Sequence, residues 1–103
     1  MRDYQQISFY INRVISDVRL KPIHISLSIA LCHVWIRNNF QLTYTVSRKS
    51  LMLASHIQSI ATYHKTLRDL QKFGHIEYHP SYHPVNASSV TLKLDRPELS
   101  GAN

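Results

Sequence analysis

The sequence predicts an α+β domain in which four helices and a short strand lead into a β-hairpin, and three observations carry that prediction. Apolar residues recur at spacings of three and four through most of the chain before Gly74. After Gly74 the spacing becomes two. Gly74, Pro22, Pro80 and Pro84 stand where one pattern ends or where a loop is required.

At 103 residues the chain can build one hydrophobic core and is too short for two, and 44% apolar residues suits a globular domain. Residues 1–20 are expected to form an N-terminal amphipathic helix and residues 21–94 the main domain. Residues 95–103, with Pro97, Ser100 and Gly101, read as a disordered tail.

In residues 4–18, Tyr4, Ile7, Ile11, Val14, Ile15 and Val18 fall at helical spacing. Pro22 breaks that pattern, because it cannot donate to a helix ladder and biases Lys21 towards an extended backbone. Residues 23–40 alternate at first as a strand would, but a long stretch without Gly or Pro exceeds an ordinary strand of about 5–6 residues. A central helix buried on several faces is expected there. Residues 42–46, with Thr43, Tyr44 and Thr45, have the content of a short strand. Ser47 can cap a helix through Leu51, Leu53, Ala54 and Ile57; after a break at His56 to Gln58, Ser59 can cap the next, and Gly74 can end it. Ile76 and Tyr78 then alternate with His75, Glu77 and His79 as one strand, and Val90, Leu92 and Leu94 with Thr91 and Lys93 as another. Between them lies a loop with two prolines and an asparagine.

Charge narrows the partners. Twelve Lys and Arg against six Asp and Glu leave +6, and no acid occurs between Asp17 and Asp69. Arg19, Lys21, Arg37, Arg48, Lys49, Lys65 and Arg68 fall in or beside that interval, which favours a polyanionic partner. Apolar runs fall far short of the roughly 20 residues that span a bilayer, so no membrane helix is expected. The N-terminus has the wrong make-up for a signal peptide. The lone Cys32 excludes an intrachain disulfide and agrees with a reducing cytoplasm.

Helix, helix, strand, helix, turn, helix, hairpin is the order of a winged helix: a three-helix helix-turn-helix core with a two- to three-stranded β-wing, here with an extra N-terminal helix. Residues 61–78, ATYHKTLRDLQKFGHIEY, resemble the recognition helix and first wing strand of that fold. The resemblance extends to a group of small Bacteroidetes-type helix-turn-helix regulators through RLKPIHISLSIALCHVW from Arg19, SRKSLMLASHI from Ser47, ATYHKTLRDL from Ala61 and GHIEYHPSYHP from Gly74. It implies sequence-specific binding of double-stranded DNA by a bacterial transcriptional regulator. The chain departs from that group at the wing loop, where Pro84, Val85, Asn86, Ala87, Ser88 and Ser89 replace a glycine and a basic residue.

The residues support the same reading without the resemblance. At 100° per residue, Ile60, Tyr63, Leu67, Leu70 and Phe73 share one helix face, and Ala61, Lys65, Arg68 and Lys72 line the opposite one. One face packs and the other is cationic, as a helix entering a major groove about 12 Å wide requires. Ala61 keeps the leading end thin. Ser59 and Thr62 can bond phosphates or base edges beside the positive end of the helix dipole. Lys65, Arg68 and Lys72 with Thr62 are assigned to the groove, His64 is counted with them, and Arg48 and Lys49 are assigned to flanking phosphates. Tyr78 and Tyr82 have two open roles, contact with the DNA backbone or packing of the hairpin. A basic stripe is more often a solvated face, and here the helix-turn-helix pattern and the net charge weigh against that.

Other readings carry less. His75, His79 and His83 repeat every four residues, but the third lies across a proline turn and no cysteine completes a tetrahedral metal set. They read as turn and edge-strand histidines near DNA or solvent. Cys32, Trp35, Phe40 and Tyr44 read as core. With two glycines there is no phosphate-cradling loop, and scattered acids give no general acid/base pair, so neither enzyme activity nor a cofactor is expected. A homodimer through the N-terminal helix is the further partner expected, against simple packing of that helix on the central one. The alternatives for the whole chain are a winged-helix protein-interaction module and an RNA or replication-complex binder.

Overall fold

The computed structural model describes residues 3–81 and 87–94. The expected hairpin tip, with Tyr82 and His83, and the expected tail from Asp95 lie outside them. The chain is α+β. In order it runs α1 (Asp3–Ser16), α2 (Pro22–Arg37), β1 (Thr43–Val46), α3 (Arg48–Ser55), α4 (Ile60–Lys72), β2 (Ile76–His79) and β3 (Ser88–Leu92). The three strands form an antiparallel sheet in the order β1-β3-β2, with Tyr44 and Tyr78 both opposite Val90.

Each boundary has a local cause. Pro22 opens α2, where its missing N–H would be unsatisfied in any case. The Ser47 and Ser59 side chains accept from the backbone N–H groups of Ser50 and Thr62 and so cap α3 and α4. His56 ends α3 in the left-handed region at φ 62°, and Gly74, at φ 84°, takes the conformation that lets the chain turn from α4 into β2. Asn39 and Phe40 also sit at positive φ as α2 turns into β1. For Phe40 this conformation costs about 1–2 kcal/mol, and its ring gains an edge-to-face contact with Trp35 at 5.3 Å.

One core joins all seven elements. Tyr10 and Val14 of α1 are buried with Leu27, Leu31 and Trp35 of α2, Leu51 of α3, Tyr63, Leu67 and Leu70 of α4, and Tyr44, Ile76, Val90 and Leu92 of the sheet. Trp35, expected in the core, is fully buried, as are Tyr10 and Leu67. The Tyr44 hydroxyl donates to the carbonyl of Leu31 at 2.8 Å, so the buried phenol keeps a partner. Burial raises the pKa of Cys32 to about 12, which keeps the thiol protonated and unreactive. The apolar stripe of α1 is divided. Tyr10 and Val14 pack inward, while Tyr4 and Ile15 stay exposed, as does Val18 just beyond the helix.

Candidate nucleic-acid interface

Three groups of contacts fix α4. Tyr63, Leu67 and Leu70 bury its inner face, and the Thr66 hydroxyl donates to the carbonyl of Thr62. In the last turn of the helix, Asp69 accepts from Nε2 of His24 at 2.9 Å and from Lys65 at 3.1 Å. Nδ1 of His24 accepts the backbone N–H of Lys21, so the proton sits on Nε2 and the ring ties the start of α2 to α4. The hydrogen bond from His24, then that from Lys65, holds the Asp69 carboxyl below the usual range.

The third group clamps the C-terminal end. The Arg19 guanidinium lies 4.4 Å over the Phe73 ring and makes paired bonds to Asp17 at 2.8 and 2.7 Å. Asp17 in turn accepts from Nε2 of His75 at 2.7 Å. Arg13 donates to the carbonyls of Lys93 and Gly74. The linker between α1 and α2 therefore holds the end of α4 and the start of β2. Expected near DNA or solvent, His75 is instead buried at 3% exposure, because the carboxylate of Asp17 gives it a partner inside the fold. His79 is at the exposed edge, bonded to Thr91.

On the outer face of α4, Ala61, Lys65, Arg68 and Lys72 are exposed and His64 is half-buried. Arg48 and Lys49 are exposed on the first turn of α3, and Ser59 at the cap. Three residues of α4 add detail to this picture. Thr62 is half-buried, at the border between the outer and the packed face. Lys65 is paired within its own helix, although at 71% side-chain exposure such a pair is worth little and is readily exchanged. Ile60, expected on the packed face, is 49% exposed at the first position of α4. Tyr82 lies outside the described residues.

A cleft of about 560 Å³ separates α4 from the hairpin. Arg48, His64, Arg68, Gln71, Tyr78 and Ser88 line it, so α3, α4 and the sheet meet around one cationic surface. Among the described residues no acid forms an ion pair with Arg48, Lys49, Arg68 or Lys72. Gln71 was not singled out from the sequence. Its side-chain carbonyl accepts the Tyr78 N–H at 2.6 Å and fastens the hairpin to α4. The helical wheel places it beside His64, on the side away from Arg68, which was the available signal.

No three His, Cys, Asp or Glu side chains cluster as a metal site among the described residues. Nor is any helix there long and apolar enough to cross a membrane. No family model, curated protein or solved structure matches the chain.

Proposed function

We propose that the protein is a winged-helix regulator that binds double-stranded DNA, with α4 in the major groove and the first turn of α3 on the flanking phosphates. The observation that carries the reading is the convergence of Arg48, His64 and Arg68, from two helices, on the cleft beside the hairpin. A solvated charge stripe on one helix needs no such convergence. Phosphates supply most of the attraction, and Arg68 offers a two-pronged donor to a guanine edge. Thr62, half-buried, stands at the edge of the reading set, and Lys65 takes part by exchanging Asp69 for a phosphate or base. The setting is the cytoplasm, and neither catalysis nor a cofactor is assigned.

Titration of duplex DNA at low and moderate salt tests the reading. Bound lysines and arginines displace condensed counterions, so affinity should fall steeply as salt rises. An affinity that does not change with salt, or no binding to duplex at all, rejects it.

We also propose a second copy of the chain as partner for the outer face of α1 and α2. Tyr4, Ile15 and Ile29 are exposed there at 68%, 62% and 57%. Between Lys21 and Arg37, α2 carries no Asp, Glu, Lys or Arg. Arg13 of α1 points its guanidinium at backbone carbonyls of the same chain. Two chains of charge +6 repel, and this neutral face lets them meet without setting like charges against each other.

A further inference from the structure

The leading end of α4 is apolar where its body is cationic. Ile60, the first residue of the helix, is 49% exposed, and Ala61 beside it is exposed. On the helix itself the Ser59 hydroxyl caps the N–H of Thr62, and Thr62 is half-buried; the exposed His56 and Gln58 belong to the turn before it. Ile60 also shares a concave surface with Met52, Leu53, Ile57, His56 and Gln58, which Arg48 and Lys49 help to line. Cations that would hold phosphates thus flank an apolar tip.

On the floor of a major groove, base edges present donors and acceptors at every pair, and the one apolar group is the C5-methyl of thymine. An apolar tip pressed on the polar edges would strip their water and return no hydrogen bond. Against a methyl it loses nothing and both surfaces leave water. We propose that Ile60 and Ala61 read thymine C5-methyl groups, so that preferred duplexes carry thymine beside the N-terminal turn of α4. The proposal rests on the DNA-binding reading above.

Deoxyuridine is thymidine without that methyl, which permits a test on the unaltered protein. A duplex selected from a random pool is remade with each thymine in turn replaced by deoxyuridine, and binding is followed by fluorescence anisotropy. Replacement at one or two positions should weaken binding about fourfold each, the effect of one buried methyl, and replacement outside the footprint should do nothing. In the Ile60→Ala variant the difference between thymine and deoxyuridine at those positions should shrink towards none. Tight binding with no position sensitive to the methyl overturns this inference and leaves duplex binding standing. Failure to bind any duplex overturns both.

Discussion

At the scale of single residues, the buried histidine is the most consequential side chain that sequence patterning misassigned. His75 and His79 both read as turn and edge-strand histidines near DNA or solvent, yet His75 lies in the core while His79 lies at an edge. Burial, more than any other cause, lowers the His75 pKa from the ordinary 6.5, against the pull of Asp17. Its Nδ1 meets no acceptor among the described residues, so a second proton would be left without a partner. The unfolded chain therefore takes up this proton at a higher pH than the native one. Its contribution to stability is fully present above pH 6.5 and declines as pH falls below it. Asp17 adds a separate loss at lower pH, because the Arg19 hydrogen bond holds its carboxyl well below 3.8. Denaturant midpoints measured from pH 7.5 to 5 should fall in the parent and stay nearly level in His75→Gln, whose amide can still donate to Asp17. Equal slopes in the two proteins would assign the pH dependence to other groups.

At the scale of elements, most boundaries were legible because they rest on local chemistry. Ser47 and Ser59 cap, Pro22 opens and Gly74 closes as their side chains and backbone preferences dictate. What the sequence did not reveal depends on contacts across long stretches of chain: the clamp from Asp17 to His75, the tie from His24 to Asp69, and the pairing of β1 with β3 rather than with a neighbour in sequence. For the candidate interface, charge and periodicity located the exposed arginines and lysines correctly, but not Gln71, whose role needs the hairpin in place. The two helices should differ in kind. Arg68→Ala on α4 should cost on the order of 1–3 kcal/mol on a selected site and relax preference at one position. Lys49→Ala on α3 should weaken selected and scrambled duplexes by similar factors and lower the salt slope by about one. Both side chains are exposed, so circular dichroism should show both variants folded. If Arg68→Ala binds both duplexes as the parent does, α4 is not the helix in the groove.

For the whole molecule, the distribution of charge separates two surfaces with opposite requirements. The cationic surface around α4 suits a polyanion, while the α1–α2 face, with Ile15 and Ile29 exposed and no Asp, Glu, Lys or Arg on α2 between Lys21 and Arg37, suits an apolar cover. Pairing by a twofold axis through that face would present two copies of α4 to one duplex and lengthen a site that a domain of this size reads only briefly. Because each copy bears +6, added salt should strengthen self-association as the repulsion is screened, whereas it weakens DNA binding. Sedimentation over a range of concentrations should then show a monomer–dimer equilibrium that shifts towards dimer at higher salt. Ile15→Glu should abolish it, since each interface would bury two unpaired carboxylates near the axis. Ile29→Glu should act in the same way from the other helix. Both positions are exposed in the monomer, so neither change should unfold the chain. A parent that stays monomeric at high concentration and high salt, with and without DNA, removes the second copy from the reading and leaves the apolar face to its own chain.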